Sequence, residues 1–448
     1  MKKEVCQLLR GANRVVLIRS PYPHGSEREI LENKFKQIIC EELSLKSSVS
    51  YIGNKNVPIL RLYRYKEAFA YSFVKQFLKR FDVSPRDYVF DPFVGMGTTT
   101  FTSMLHGIPS IGIEKLPIAY FIAKTLPLLL KLKRGELKKI FLSLIKEVPK
   151  CEPAEVAIDV PIMKRAFDET TLLTLRKLKS AIEKLDYPYK DIFLLLFFSI
   201  LEECSFTSKD GQFLRLKYNK KVADPIEALS KKVSQAEEDI CRLNTFLLGS
   251  VKNKLVMPDI YLDDARDLSN ISFKKPPTVI LTSPPYANRY DYTRTYSLEL
   301  CFHFVKNFEE LKKIRFGILR SHIESKIKEN EKPNHPVIEE VINALNCKKL
   351  NNPKIPIMLT TYFIDMEKVI EEWSKILAER AKIAMVVDNV RFEGELIPVD
   401  LVLSDIAEKK GFEVKKIIVA RYKGNSSQQM KKYGKVPVRE SIVIWEKI

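Results

Sequence analysis

The sequence predicts an α/β protein in which a doubly wound, mostly parallel sheet carries helical insertions. Residues 88–115 combine a strand, a glycine-rich turn, a helix and a second strand, which is the pattern of a βαβ unit. Residues 278–281 form an apolar, β-branched run that is typical of a strand buried on both faces. Two prolines follow this run, and because proline has no backbone N–H, the chain leaves the sheet there in a stiff, extended conformation.

The composition points to a polyanionic partner. The chain has 448 residues, a formal net charge of +19 and an isoelectric point near 9.4, and neutralising phosphates releases counterions. A lysine-rich solvated surface is the alternative. The cysteines are odd in number and lack CxxC spacing, which argues against a disulfide framework and a zinc site. The N-terminus lacks a signal-peptide h-region, and no apolar run reaches the roughly 20 residues of a membrane span. We therefore expect a cytoplasmic protein with no membrane partner.

The first βαβ unit has the features of a nucleotide site. A strand at 88–90 leads into a turn at 91–97, a helix at 98–105 and a second strand at 110–113, which ends at Glu114. Glycines in the turn let the backbone approach a ligand. An acid at the end of the second strand accepts both hydroxyls of a ribose. This combination predicts a nucleotide-containing cofactor.

Two motifs resemble those of a known enzyme family. DPFVGMGTT (91–99) resembles the cofactor motif of the S-adenosylmethionine-dependent methyltransferases that modify exocyclic amino groups of bases, and TSPPY (282–286) resembles their catalytic motif. The serine form, at Ser283, is characteristic of DNA cytosine-N4 methyltransferases. The resemblance implies a seven-stranded Rossmann-like methyltransferase sheet, S-adenosyl-L-methionine as cofactor and double-stranded DNA as partner. It also implies a restriction-modification system, whose cognate restriction endonuclease acts separately.

The resemblance assigns cofactor binding to the loops that follow three strands. Residues 64–81 resemble the helix that precedes the cofactor loop, and their phenylalanines at every fourth position also fit a packing helix. Residues 263–268 resemble the segment after strand three whose acid meets the adenine amino group, and we give that role to Asp264. The predicted cofactor-binding residues are Asp91, Pro92, Phe93, Gly95, Gly97, Thr98, Glu114 and Asp264.

The chemistry of an exocyclic amine explains the catalytic motif. The N4 lone pair of cytosine is delocalised into the ring, so two acceptors must hold the amino hydrogens and turn the lone pair toward the sulfonium methyl. Ser283 Oγ and the Pro284 carbonyl are the natural pair, and the second proline makes this carbonyl rigid. Tyr286 offers a face for stacking a base rotated out of the duplex, or is a core aromatic. The predicted catalytic residues are Ser283, Pro284, Pro285 and Tyr286, and no metal or covalent cysteine is required.

Apolar runs locate the rest of the sheet and leave two insertions between strands. We expect a strand at 255–261, a helix at 366–380, a strand at 382–390, a helix at 399–410 that is capped by Gly411, and an antiparallel pair at 412–420 and 441–445. The longest apolar run, 192–201, is predicted to be a buried helix. The predicted segments are an N-terminal extension (1–50) and three parts of the catalytic core (51–125, 255–300 and 356–448). The mainly helical insertion at 126–254 is a candidate target-recognition region. The second insertion, at 301–355, is a candidate DNA-contacting region with a mobile loop at 325–336.

Basic regions supply the candidates for DNA contact. Residues 203–221 form either a DNA-facing loop or an ordinary exposed hairpin with a turn at 210–211. Residues 421–439 contain no acidic residue, so they are either a phosphate-binding loop or a solvated charge run. Two arginines closely follow the catalytic motif. The predicted DNA-binding residues are Arg289, Arg294, Lys209, Arg215, Lys423, Lys431, Lys432 and Arg439.

We therefore expect a site-specific DNA methyltransferase that modifies cytosine N4. Alternatives within the enzyme class are methylation of adenine N6 in DNA or guanine N2 in RNA, where an acid usually replaces Ser283. A different class is a DNA-binding protein that keeps the cofactor pocket without activity, and the presence of both motifs argues against it. All versions of the enzyme hypothesis require the glycine turn and the proline loop to open into one cavity.

Overall fold

One eight-stranded sheet organises the protein, and helices cover both of its faces. The computed structural model describes residues 21–210, 213–246, 255–328, 331–332, 334–423, 431–434 and 436–448. The strands are β1 (Ile39–Glu41), β2 (Val89–Asp91), β3 (Ser110–Glu114), β4 (Thr207–Ser208), β5 (Arg215–Leu216), β6 (Asp259–Leu262), β7 (Val279–Thr282), β8 (Lys382–Asp388), β9 (Val390–Phe392), β10 (Glu395–Ile397), β11 (Phe412–Lys423) and β12 (Val438–Lys447). The α-helices are α1 (Glu27–Phe35), α2 (Tyr71–Arg80), α3 (Thr98–Leu105), α4 (Pro117–Thr125), α5 (Glu136–Glu147), α6 (Met163–Ala166), α7 (Glu169–Glu183), α8 (Tyr189–Ile200), α9 (Pro225–Phe246), α10 (Tyr292–Thr295), α11 (Ser297–Glu299), α12 (Phe308–Gly317), α13 (Pro336–Asn346), α14 (Ile355–Ile376) and α15 (Val399–Lys409).

The order of strands in the main sheet is β1-β11-β12-β8-β7-β2-β3-β6. Only β12 runs antiparallel to its neighbours, and the other pairings of this sheet are parallel. The chain passes from β2 outward to β3 and β6 and then returns to β7 on the other side of β2. The carboxyl ends of β2 and β7 therefore flank the point where the strand order reverses, which is where open α/β sheets bind ligands. The predicted doubly wound, mostly parallel sheet is confirmed.

The predicted number of seven strands is wrong, because the structure has an eighth. The extra strand, β1, pairs in parallel with β11 at the edge of the sheet and comes from the predicted N-terminal extension. It has three residues, all only partly buried, so no apolar periodicity marks it in the sequence. Other predicted bounds also change: β6 begins at Asp259, α14 spans Ile355–Ile376, β8 ends at Asp388, β11 ends at Lys423 and β12 spans Val438–Lys447.

The central strands are buried on both faces, as the apolar run before the two prolines predicts. Val279 and Leu281 of β7 belong to the core beneath α2, together with Phe73. Ile280, between them, belongs to the core on the opposite face, together with Trp373 of α14. This alternation is what a parallel sheet covered by helices on both sides requires.

The helix predicted from residue 64 begins only at Tyr71. The Asn54 side chain sets this boundary, because its Oδ1 accepts a hydrogen bond from the Tyr71 N–H at 2.7 Å and its Nδ2 donates to the Phe69 carbonyl at 2.9 Å. Asn54 lies far from this boundary in the sequence, so the local pattern of phenylalanines does not reveal its capping role. The segment before the helix is left free to line a cavity at the carboxyl edge of the sheet.

The first insertion adds a helical layer of its own. Helix α8, which contains most of the longest apolar run, is buried from Ile192 to Phe198 and packs against α7 and α9. The predicted buried helix is therefore confirmed. Strands β4 and β5 form a short antiparallel hairpin, and Gly211 at its predicted turn lies outside the described residues. None of the helices in the described part of the chain is long and apolar enough to cross a membrane.

Phe73 gives a test of the core beneath α2. Its ring is fully buried between Phe69 and Phe77, with ring centroids 4.6 and 4.8 Å away. We expect Phe73→Ala to lower the free energy of unfolding by about 3–5 kcal/mol, because it leaves a cavity between these rings. Urea unfolding followed by circular dichroism measures the change. Phe213→Ala is the control, since Phe213 is exposed; equal losses for the two variants would contradict this account of the core.

Candidate active site

One cavity lies at the carboxyl edge of the sheet and joins the two sequence motifs. It encloses about 830 Å³ of empty space, part of it open to solvent. The loops after β2, β3, β6 and β7 contribute to its walls. The shared cavity that the enzyme hypothesis requires is present. Of the predicted cofactor-binding and catalytic residues, those lining the cavity are Pro92, Phe93, Gly95, Thr98, Glu114, Asp264, Ser283 and Pro285.

The glycine turn directs an acid into this cavity. Gly95 has φ +54°, and its N–H donates to Glu114 Oε2 at 2.9 Å. The N–H groups of Lys115 and Leu116 donate to Glu114 Oε1 at 3.0 and 2.9 Å. A Cβ at Gly95 would lie 3.2 Å from the Tyr65 ring, so the tight turn favours glycine. Burial raises the pKa of Glu114 to about 7, which places its titration near neutral pH.

Two residues predicted to bind the cofactor lie behind the cavity wall. Asp91 is buried; its Oδ1 accepts hydrogen bonds from Thr282 Oγ1 at 2.6 Å and from the Phe93 N–H at 3.1 Å. Burial raises the pKa of Asp91 to about 6. Gly97 has φ +90°, and a Cβ there would lie 3.1 Å from Ala123 of α4. In place of direct contacts with the cofactor, we therefore propose that Asp91 and Gly97 position the turn.

Asp264 lines the cavity, and an arginine already engages both of its carboxylate oxygens. Arg266 Nε donates to Oδ1 at 2.9 Å and Arg266 Nη2 donates to Oδ2 at 2.7 Å. Burial alone would raise the pKa of Asp264, but these hydrogen bonds and the guanidinium charge lower it below its usual value. Asp263 also lines the cavity. The role of Asp264 at an adenine amino group stays a prediction, and Arg266 is a wall residue that no sequence pattern indicated.

The tyrosines of the cavity wall were also missed. Tyr65 and Tyr292 both line it. Tyr65 falls in the segment predicted to be helical, and its ring stacks on Tyr296 with centroids 5.0 Å apart. Ile318 and Leu319 add an apolar contribution from the second insertion. The wall is therefore built partly by residues that only the tertiary structure brings to the motifs.

The loop with the predicted catalytic motif leaves β7 at Ser283 and presents a hydroxyl to the cavity. We call it the catalytic loop after this prediction. Ser283 Oγ donates to the Val386 carbonyl of β8 at 3.1 Å and lies 3.4 Å from the Tyr286 hydroxyl. Because its one hydrogen goes to a backbone carbonyl, the oxygen keeps a lone pair with which to accept. Pro284 is buried, while Pro285 lines the cavity. Ser283 is therefore prepared to act as a hydrogen-bond acceptor.

Tyr286 contacts a group of charged residues beside the cavity. Its hydroxyl donates to Glu440 Oε1 at 3.0 Å, and Lys423 Nζ lies 5.3 Å from the centre of its ring. Lys423 Nζ also binds Asp388 Oδ2 at 3.0 Å and Glu440 Oε1 at 2.7 Å, and Arg421 pairs with Glu440 as well. We call Asp388, Arg421, Lys423 and Glu440 the charged cluster. Burial holds the pKa of Asp388 above its usual value. Lys423, which is predicted to contact DNA, instead forms ion pairs within this cluster.

Two further predicted DNA contacts are corrected by the structure. Lys209 is only 3% exposed, and its Nζ binds Glu299 Oε1 at 2.5 Å. The side chain of Arg439 is 13% exposed and binds Asp400 at 2.8 Å and Glu32 at 3.0 Å. Carboxylates already neutralise both cations. Neither presents a free charge to a phosphate, so both stabilise the fold.

The remaining predicted DNA contacts are accessible to different extents. Arg215 and Lys431 are exposed. Lys432 is 59% exposed and pairs with Glu393 at 3.1 Å. Arg294 is 48% exposed and pairs with Asp291 and Glu324. Their contact with DNA stays a prediction.

Arg289 differs from these because it is half-buried and has φ +70°. Its guanidinium lies 5.4 Å from the centre of the Phe392 ring, and Nη1 donates to Asn351 Oδ1 at 3.3 Å. Burial lowers the pKa of Arg289. This arginine follows the catalytic motif closely and is held against the β9–β10 hairpin, and its contact with DNA also stays a prediction.

Comparison with curated proteins finds relatives along nearly the whole chain. The chain is 34% identical to the Type II methyltransferase M.BsoBI of Geobacillus stearothermophilus, and the match covers 94% of this chain and 92% of that protein. It is 33% identical to the Type II methyltransferase M.AvaI of a Nostoc species and of Anabaena variabilis, with coverage of 93% and 92%. No known protein-family profile matches the chain.

Solved structures give weaker matches. TrmN from Thermus thermophilus is 9% identical with a TM-score of 0.29, over 88% of this chain and 53% of that one. The rRNA methyltransferase aviRa from Streptomyces viridochromogenes is 11% identical with a TM-score of 0.32, over 85% of each chain. Scores this low carry no weight for fold or function.

The pKa of Glu114 predicts how pH affects cofactor binding. Only the ionised carboxyl offers acceptors on both oxygens, and protonation of a group with a pKa of about 7 removes one of them as the pH falls. We therefore expect the Kd for S-adenosylmethionine to decrease about tenfold between about pH 6 and about pH 8 and then level off. Isothermal titration calorimetry measures it. Glu114→Gln should bind S-adenosylmethionine weakly, and its Kd should not change with pH. A wild-type Kd that stays constant across this pH range would contradict the assignment of Glu114 to the cofactor site.

Proposed function

This chain belongs to the Type II methyltransferases, and on that premise we propose that it transfers a methyl group to N4 of a cytosine rotated out of duplex DNA. Its broader class, a DNA methyltransferase of a restriction-modification system that uses S-adenosylmethionine, follows from relatives that match nearly the whole chain. The finer assignment to cytosine N4 rests on the serine form of the motif, and one observation supports it: Ser283 and Pro285 line the same cavity as the glycine turn.

The residues of the cavity fit an adenosyl cofactor. S-adenosylmethionine, when bound, supplies a methyl group that is activated by a positively charged sulfur. Glu114 provides the acid that a ribose requires at the end of the second strand of such a sheet. Gly95 leaves the turn without a side chain where the backbone must approach a ligand. Pro92 and Phe93 add apolar surface beside them.

The loop then acts on the target nitrogen. Ser283 Oγ and the Pro284 carbonyl accept the two amino hydrogens, so the nitrogen lone pair rotates out of conjugation with the ring. Because Ser283 gives its own hydrogen to Val386, its oxygen is available for this purpose. With S-adenosylmethionine bound, the nitrogen would form its bond to the methyl carbon, the carbon–sulfur bond would break with its electron pair left on sulfur, and one amino proton would be lost to solvent.

The aromatic ring beside the loop provides a surface for the extruded base. Tyr286 follows the two prolines, and its hydroxyl lies 3.4 Å from Ser283 Oγ. Stacking on this ring replaces part of the stacking energy that a base loses when it leaves the duplex. The phosphates on either side of that base would bind the accessible cations, of which Arg289 is half-buried and the others are exposed. These cations are Arg215, Arg289, Arg294, Lys431 and Lys432.

The proposed product gives the direct test. We expect unmethylated plasmid DNA, incubated with methyl-labelled S-adenosylmethionine and the protein, to yield N4-methylcytosine after digestion to nucleosides and mass spectrometry. Transfer RNA, run in parallel, should stay unlabelled. Label in N6-methyladenine would transfer the proposal to the adenine class, and label in RNA would replace DNA as the substrate.

Ser283→Ala tests the role of the serine. We expect it to lower kcat by about a hundredfold or more, because the N4 lone pair is no longer turned toward the methyl group. The Kd for S-adenosylmethionine should stay the same, as measured by calorimetry. Ser269→Ala is the control, since Ser269 is exposed outside the cavity. Equal turnover of the Ser283 variant and the wild type would remove Ser283 from the mechanism.

Charge reversal tests the basic segment after β11. We expect Lys431→Glu with Lys432→Glu to weaken DNA binding and to lower the slope of log Kd against log salt by about 2, since two phosphate contacts are lost. Fluorescence anisotropy with duplex DNA at several salt concentrations measures both. The matched control is Lys274→Glu with Lys275→Glu, an exposed pair at the opposite end of β7 from the catalytic loop. Identical salt slopes for both double variants would show that Lys431 and Lys432 do not contact DNA phosphates.

A further inference from the structure

The carboxylate of Glu440 is the centre of the charged cluster. It is 1% exposed, Lys423 binds Oε1 at 2.7 Å and Arg421 pairs with Oε2. A buried carboxylate is costly unless it is paired, and these two cations provide its counter-charge. The Tyr286 hydroxyl is not needed for that purpose. Its hydrogen bond to Oε1 at 3.0 Å therefore acts chiefly on the tyrosine, because it fixes where the phenol ring can lie.

Glu440 is itself a rigid anchor. It lies in β12, opposite Asp388 of β8 on one side and opposite Arg421 of β11 on the other. Tyr286, in contrast, belongs to a loop. Glu440 is held by neighbouring strands on both sides. A hydrogen bond to it therefore restricts the position of a side chain in the loop.

Lys423 occupies one face of the same ring. Its Nζ lies 5.3 Å from the ring centre, and it is held there by ion pairs with Asp388 and Glu440. A cation in this position is attracted by the ring face. A base that stacks on Tyr286 must therefore use the opposite face.

We propose that Glu440 is a positioning residue for Tyr286, and that Lys423 reserves the opposite ring face for the target base. This inference rests on the proposed function, in which Tyr286 stacks the extruded cytosine. The hydroxyl of Tyr286 then has no chemical role of its own; it holds the ring at a set angle beside Ser283. Loss of that hydrogen bond slows methyl transfer in the assembled complex and leaves cofactor binding unaffected.

Single-turnover methylation of unmethylated plasmid DNA at saturating S-adenosylmethionine tests the proposal. We expect Tyr286→Phe and Glu440→Ala each to lower the rate constant by about tenfold or more, since a misplaced ring no longer aligns the base. The double variant should lose no more than Glu440→Ala alone, because Glu440→Ala has already removed the hydrogen bond that Tyr286→Phe breaks. Glu440→Gln keeps an acceptor oxygen and should retain most of the rate. The Kd for S-adenosylmethionine should be the same in all four.

Tyr422 and Glu41 provide a matched control. Tyr422 directly precedes Lys423, and its hydroxyl donates to Glu41 Oε1 at 2.6 Å. Tyr422→Phe therefore breaks the same kind of hydrogen bond away from the catalytic loop and should keep the wild-type rate. A wild-type rate for Tyr286→Phe, or losses that multiply in the double variant, would overturn the proposal. If Glu440→Ala fails to fold, Tyr286→Phe against Tyr422→Phe decides alone. A wild type that binds cofactor but methylates no DNA refutes the proposed function instead.

Discussion

Two hydrogen bonds at the carboxyl ends of β2 and β7 hold the site together. Thr282, the last residue of β7, donates to the buried carboxylate of Asp91 at the end of β2, and Thr99 at the start of α3 donates to the Leu281 carbonyl of β7 at 3.0 Å. One bond fixes the glycine turn to the proline loop, and the other fixes the helix that follows the turn. In the proposed mechanism, the sheet itself therefore sets the distance between the cofactor and the target nitrogen. Every feature of the proposed mechanism depends on that distance.

The sequence predicts the parts of the fold whose cause is local. The βαβ unit follows from short apolar strands and from glycines at positive φ, and Gly411, which ends α15, has φ +88° as a left-handed cap requires. The cavity is predictable because the carboxyl ends of parallel strands share one edge of a sheet. Strand β1 and the start of α2 are not predictable in this way. One is too short to show periodicity, and the other depends on Asn54, which is distant in the sequence.

The charged residues of the site are harder to predict than its loops. Tyr286 and Glu440 are 154 residues apart in the sequence, and the pairings of β7 with β8, β8 with β12 and β12 with β11 bring the charged cluster to the catalytic loop. The net positive charge of the sequence likewise does not show which cations are available to bind DNA. Lys209, Lys423 and Arg439 were counted as surface cations, yet each has a buried or half-buried carboxylate partner. A sequence shows which residues carry charge but does not show which of those charges are already paired inside the fold.

The position of Lys209 has a consequence for protein engineering. This residue belongs to the first insertion, but its ammonium is buried against Glu299 and lies 4.5 Å from the centre of the Tyr296 ring, both of which belong to the core segment after the catalytic loop. The insertion is therefore not an interchangeable cassette. A chimaera that replaced it with the corresponding region of another enzyme would leave the Glu299 carboxylate buried without a counter-ion, unless the donor region brought its own lysine to the same place.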